Sequence, residues 1–228
     1  MTNEEFIRMV VKLSGAYSPL QVFQDACRMI ALAIHSALLC FDPAAKERAE
    51  REYAELVEKY GKENEAAFAQ LFRAVAEKLE VTRTDFLGGV MERMGATNKG
   101  TSQFLTPRHL AHFMGMVAFE GKKPVPGEIV YLSDPCCGAG VLLIVGANAF
   151  IDAGGRQGDI LIRAEDLDYN AFNSAFVQLS LLGFAAVVTR MDSLSREVFE
   201  GPWYTPGYFL HAMPMRLAGK NTTTTNKE

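Results

Sequence analysis

The chain has 228 residues, 49% hydrophobic and 22% charged, an ordinary composition for one or two globular domains with a real core. Its formal net charge of −4 excludes a protein that grips nucleic acid through overall basicity, though not one with a local basic patch. No apolar run is long enough to span a bilayer. MTNEEFIRMV has no signal-peptide pattern and the four cysteines show no Cys-x-x-Cys spacing, so reduced thiols, a cytoplasmic location and no membrane are expected.

Residues 1–96 read as a helical N-terminal domain. Phe6, Met9, Val10 and Leu13 follow helical spacing as far as Gly15. Ser18-Pro19 is an N-cap followed by a first-turn proline, opening a helix through Leu39. Within it IALAIHSALL reads as a buried helix, and His35 as a packed core histidine rather than a ligand. Asp42-Pro43 repeats the start signal, and AAKERAEREYAELVEKYG ends at Gly61; its alternating charges read as a solvated face. Phe68, Leu71, Phe72, Val75 and Leu79 form an amphipathic, core-facing stripe. Thr84-Asp85 begins a short helix that stops around Gly95. The polar connector at 96–102 marks the domain boundary.

A second domain is expected over 97–218, with a disordered polar tail over 219–228. Thr106-Pro107 predicts a helix with Thr106 as cap, Pro107 at the first helical position and an apolar stripe of Leu110, Phe113, Met114 and Val117. The period then changes. Strands are predicted at 128–133, 160–164 and 186–189, with helices at 140–153 and 169–182 between them. Strand alternating with helix argues for a parallel sheet with helices on both faces.

The segment IVYLSDPCCGAGVLL is strand, tight glycine turn, helix. Glycines there let a ligand approach the backbone, and the helix start offers free N–H groups. A turn that binds nothing is the bland alternative. Cys136-Cys137 is open to a redox or metal reading, but the neighbouring glycines favour small residues placed for room, and no metal site is expected. Asp134, Asp166 and Asp192 follow three consecutive strands. Turn-favouring aspartates end strands for local reasons, but three around one glycine turn favour a nucleoside-containing ligand. An acid after the second strand suits ribose hydroxyls, and one after the third suits the donor edge of a purine.

Several of these residues fall in recognisable order. DFLGGVMERM at 85–94, Gln103-Phe104-Leu105-Thr106-Pro107, Asp134-Pro135-Cys136-Cys137-Gly138-Ala139-Gly140, AEDLD at 164–168 and Asp192-Ser193-Leu194 resemble a helix and the Q-F-F-T-P, D-P-x-C-G-x-G, G-x-E-I-D and G-D-S-L motifs of one family. They are similar to the modification subunit of type I restriction–modification systems, the DNA adenine N6-methyltransferases, over 85–194, with Met191 where that family usually has glycine. The resemblance implies a partial Rossmann-like methyltransferase domain and S-adenosylmethionine as cofactor. The implied cofactor residues are Gln103, Thr106, Pro107, Asp134, Pro135, Gly138, Gly140, Asp166 and Asp192.

The family's Asn-Pro-Pro-aromatic catalytic motif is absent. Residues 208–212 are expected to form the fourth strand, so Met213 and Pro214 would occupy the catalytic loop, where a thioether is a poor substitute for an amide acceptor. Trp203-Tyr204-Thr205-Pro206 could contact a base or form a packed turn. Beyond Leu217 no further strand is expected from this chain, so an edge and an apolar face would need covering by the N-terminal helices, a second copy or another protein. Two functions follow: a partner-dependent DNA adenine N6-methyltransferase, reaching DNA through a partner subunit, or a catalytically inactive, cofactor-binding relative acting as a regulatory or anti-restriction interaction module.

Overall fold

The computed structural model describes residues 1–95, 106–121 and 123–212. The expected connector at 96–102, the expected cofactor residue Gln103, the expected catalytic-loop positions Met213 and Pro214 and the expected tail at 219–228 lie outside the described residues.

The start signals read at Ser18-Pro19 and Asp42-Pro43 hold. In α1 (Asn3–Lys12), Thr2 and Glu5 close a reciprocal capping box. In α2 (Pro19–Leu38), the Ser18 hydroxyl accepts from Gln21 N, and in α3 (Pro43–Tyr60) the Asp42 carboxylate accepts from Ala45 N. α3 buries only Ala49, Val57 and Tyr60, so its charge run is solvated as its sequence suggests. Helix α4 (Glu65–Thr82) buries Phe68, Leu71, Val75 and Leu79, and α5 (Leu87–Arg93) follows. α2 buries residues on several sides because it lies between α3 and the later helix α8 (Tyr169–Leu181).

The second part runs α6 (Arg108–Phe119), β1 (Val130–Asp134), α7 (Val141–Asp152), β2 (Ile160–Asp166), α8, β3 (Ala186–Met191) and β4 (Val198–Tyr204). The sheet order is β1-β2-β3-β4. The first three strands are parallel, and β4 pairs antiparallel with β3. On one sheet face Leu132, Ile162, Ala164 and Val188 join a single hydrophobic core that continues through α7 and α8 into Phe6, Phe23 and Phe86 of the N-terminal region. The other face is covered unevenly. Leu161, Val187 and Tyr204 pack against a turn at Tyr208–Ala212, while Tyr131 is exposed.

Two expectations are corrected. Residues 208–212 are not a strand but a π-helical turn; the fourth strand is β4. The Thr205 hydroxyl, fully buried, donates to Phe184 O and accepts from Ala186 N. This anchors the end of β4 and turns the chain back, so Tyr208 packs on Tyr204 with ring centroids 4.6 Å apart. β4 escaped the sequence reading because Gly201 and Pro202 interrupt its alternation. Thr106 is not the cap of α6: Pro107 holds that position and no side chain caps the helix. The apolar stripe of α6 also does not enter the core. Leu110, Phe113, Met114 and Val117 are exposed, Phe113 by 62%. α6 packs on α7 instead through Ala111 and Gly115, where a Cβ on Gly115 would lie 2.7 Å from Val145 Cγ1.

The N-terminal helices are fastened to the sheet by Arg28 of α2. Its guanidinium forms a two-pronged pair with Glu52 of α3, Nε and Nη2 each 2.7 Å from a carboxylate oxygen. Nη2 also meets Glu200 of β4 at 2.8 Å, and Nη1 donates to Asn173 of α8. The rings of Tyr169 and Trp203 lie on its faces, both centroids 5.0 Å away. Trp203 is only 7% exposed, so its ring is packed and is not available to stack on a base.

His35 stacks on Trp203 at 3.9 Å and 11°, the packed role its sequence context suggests. Burial, with Arg28 adding repulsion, lowers its pKa from 6.5 to about 4. The native state therefore holds the neutral ring and the unfolded state takes up the proton first. This contribution is complete above the unfolded value and is lost as pH falls toward the folded one. His35→Phe keeps a stacked ring without the proton. Its melting temperature is expected to fall less than the wild type's between about pH 7 and about pH 4.5; equal falls in a calorimetric series would show that His35 does not contribute.

Candidate cofactor site

The C-terminal ends of β1, β2 and β3 are tied together by the residues that follow them. After β1, the Asp134 carboxylate accepts from Cys136 N at 3.0 Å, closing a tight turn. Gly138 and Gly140 then adopt φ of 56° and 97°, a region that favours glycine. Gly140 N donates to Cys137 O at 2.8 Å, and α7 begins at Val141 with no side-chain cap. Its first-turn N–H groups therefore have no side-chain acceptor and carry the positive end of the helix dipole.

After β2, Asp166 accepts from Gly138 N at 2.7 Å with one carboxylate oxygen and from Asp168 N at 2.9 Å with the other. Cys137 N donates to Glu165 O, so the glycine turn is bonded to the tip of the neighbouring strand at two points. After β3, Asp192 accepts from Leu194 N and Ser195 N and is held in its own turn. The Ser193 hydroxyl donates to Pro135 O at 2.6 Å and lies 3.4 Å from Glu165.

Burial foremost, with the charges of Asp168 and then Asp134 adding to it, raises the Asp166 pKa from its ordinary value, against the lowering by its two backbone donors. Backbone donors hold that of Asp192 low. Burial raises the Cys136 thiol, and Asp166, Asp134, Asp192 and Glu165 raise it further. Four acids thus converge on one point. They disfavour a thiolate, and Cys137 is buried and raised as well, so the pair lacks the electropositive surroundings of a reactive thiol. Among the described residues no three or more His, Cys, Asp or Glu side chains are placed so that they could hold a metal ion together.

Of the residues singled out from sequence, Asp134, Pro135, Gly138, Gly140, Asp166 and Asp192 thus meet at the strand tips. Thr106 and Pro107 make no described contact with them. They do lie toward the same end of the sheet: Gly115 faces Val145 and Phe119 faces Phe150, so α6 runs parallel to α7 and both helices start at that end. A cavity of about 940 Å³ lies at the other end, lined by Phe113, Met116, Phe119, Asn148 and Ile151.

Two contributors were missed. Ser193 stood inside a motif but was not assigned a contact. Gln178 of α8 is wholly buried and donates to Ala139 O in the glycine turn; its only sequence signal is a long polar side chain within the otherwise apolar run AFVQL.

No curated protein matches the chain. The type I restriction–modification system methyltransferase subunit from Streptococcus thermophilus, a solved structure, is 16% identical with a TM-score of 0.42, and the match covers 89% of this chain and 61% of that one. The chain therefore spans less than two thirds of that subunit's length. The family described as N-6 DNA Methylase matches residues 82–204, more than half of the sequence and the whole span from the start of α5 to the end of β4. The chain belongs to the N-6 DNA methylase family.

Proposed function

We propose that the strand-tip site binds S-adenosylmethionine and that the protein serves DNA adenine N6-methylation of the restriction–modification type. The observation that carries this reading is the bond from Gly138 N to Asp166, which sets a glycine turn against a buried acid at the end of the neighbouring strand. An ionised carboxylate whose burial disfavours its charge is costly, and such costs concentrate at functional sites.

The residues fit the cofactor. Each Asp166 oxygen uses one lone pair on the backbone and keeps another for a ribose hydroxyl. Asp192 would accept from the adenine amine. The uncapped starts of α6, beside Thr106 and Pro107, and of α7 would take the carboxylate. The acids around Cys136 suit a ligand carrying positive charge. When bound, the cofactor supplies an electrophilic methyl group.

A partner belongs to the same proposal. β1 is an edge strand, and the exposed apolar stripe of α6 leaves a surface suited to a second copy or another subunit. Light scattering at micromolar concentration is expected to show a species heavier than the monomer, alone or with restriction–modification subunits added; a monomer in both cases would remove this part. No helix among the described residues is long and apolar enough to cross a membrane, and a cytoplasmic location is proposed.

One observation favours the alternative, a catalytically inactive, cofactor-binding relative. Asn-Pro-Pro-aromatic is absent from the sequence, and Tyr208–Ala212 forms a turn on the sheet face instead of a strand leading to a catalytic loop. Transfer of label from methyl-labelled cofactor to unmethylated DNA separates the two, measured with and without candidate subunits. Label in the DNA under either condition supports the methyltransferase. Heat of cofactor binding without transfer under either condition supports the inactive relative. No heat at all would dismiss both.

A further inference from the structure

Gln178 has no assigned role, yet every hydrogen-bonding capacity of its side chain is used. It is wholly buried in α8. Nε2 donates to Asp85 Oδ1 and to Ala139 O, each at 2.8 Å. Oε1 accepts from Phe86 N at 2.7 Å and Leu87 N at 3.0 Å. An amide offers two donor hydrogens and an acceptor oxygen with two lone pairs, and all are paired. Asp85 in turn accepts from Gly88 N at 2.8 Å, so one polar pair ties the start of α5 to the glycine turn.

Ala139 O and Gly140 N belong to one peptide unit. That unit precedes a glycine at φ 97°, where little steric resistance opposes rotation of the plane. Two bonds hold it: Gln178 takes the carbonyl, and the N–H reaches Cys137 O. Rotation would break both and swing the uncapped first turn of α7 out of line.

We propose that Gln178 is a positioning residue for the cofactor turn: by fixing the Ala139 carbonyl it fixes the direction in which the first N–H groups of α7 point. This rests on the reading of that turn as the S-adenosylmethionine site. A filler of the core would need only its bulk, and a helix clamp only its bonds to Asp85, Phe86 and Leu87. The bond to Ala139 O reaches the turn itself.

The test separates these roles by exchanging donor and acceptor. Gln178→Glu places a carboxylate against Asp85 and is expected to destabilise the fold. Adding Asp85→Asn returns a donor opposite the new carboxylate, with Gly88 N passing from the atom it now shares with Gln178 to the remaining amide oxygen; Phe86 N and Leu87 N keep their acceptor, but Ala139 O now faces oxygen. At about pH 8 the double variant is expected to recover most of the lost melting temperature. It is expected to bind S-adenosylmethionine at least about tenfold more weakly than wild type by calorimetry, with the amide resonances of Gly138 and Gly140 shifted in the free protein. Wild-type affinity with unmoved resonances would overturn the proposal.

If the wild type itself binds no cofactor, the functional reading fails, and the two glycine resonances alone decide the positioning role. If the double variant does not fold, side-chain amide exchange in the wild type decides it. Gln178 protons exchanging as slowly as the α8 backbone support the anchor, and faster exchange refutes it.

Discussion

Replacing Arg28 with methionine is expected to cost about 3 kcal/mol of unfolding free energy, the lower end of the 3–5 expected when one partner of a buried ion pair is removed. The guanidinium is almost fully buried, whereas the Glu52 side chain is 37% exposed and Glu200 20%. Methionine fills the volume but leaves Glu200 without its cation and Asn173 Oδ1 without the Arg28 donor, beside Trp203 and Tyr169. Glu52, the more accessible, recovers part of its loss from water, which places the expectation at the low end. Urea unfolding monitored by Trp203 fluorescence measures it. A loss below about 1 kcal/mol, the size of a surface pair, would mean that the desolvation of these charges cancels their attraction. Arg28→Lys is expected to fall between the two, because an ammonium cannot form the two-pronged bond to Glu52 while also reaching Glu200 and Asn173.

Asp166→Ala is expected to weaken S-adenosylmethionine binding by about 100-fold or more. Two hydrogen bonds from ribose to an ionised group are at stake, and charge-assisted bonds contribute roughly 1.5–3 kcal/mol each. The cost in stability is expected to be smaller than for Arg28→Met, because two effects oppose. Gly138 N and Asp168 N lose their acceptor, while burial of a carboxylate with a raised pKa is relieved. The sign follows from that direction. A native state that holds the proton more tightly is favoured below the unfolded pKa and loses that advantage as pH rises through the folded one, so at neutral pH the ionised Asp166 works against folding. Titration calorimetry on wild type and variant provides the measurement. Equal affinities would remove Asp166 from the site, and a melting temperature that drops as far as that of Arg28→Met would make its role structural.

The strand-tip constellation was legible because its signals are local. Asp134 closes a turn on Cys136 two residues away and Asp192 one on Leu194. These bonds are written in adjacent residues, and turn chemistry reads them directly. The same holds for Ser18 and Asp42 at the starts of their helices. β4 was missed because its residues are held by long-range pairing to β3, while Gly201-Pro202 suppresses the pattern a strand would show. Residues 208–212 were misread for the opposite reason: an apolar pentapeptide satisfies a strand or a buried turn equally well, and only the anchoring of Thr205 chooses.

What the sequence determined by itself is therefore the order of the elements as far as β3, the polarity of each helix face and the chemistry at the ends of β1, β2 and β3, since these depend on neighbours within about one helical turn. Tertiary structure decided which apolar faces find a partner. The stripe of α6 has the same spacing as that of α4, yet α4 is buried by it and α6 exposed, because periodicity states which side is apolar but not what lies opposite. It also decided that Arg28, Glu52, Asn173 and Glu200 share one ion cluster, and that Gln178 reaches the glycine turn across 39 residues. Contacts of that range exist only once the chain has closed on itself, and no local preference of either residue encodes its partner.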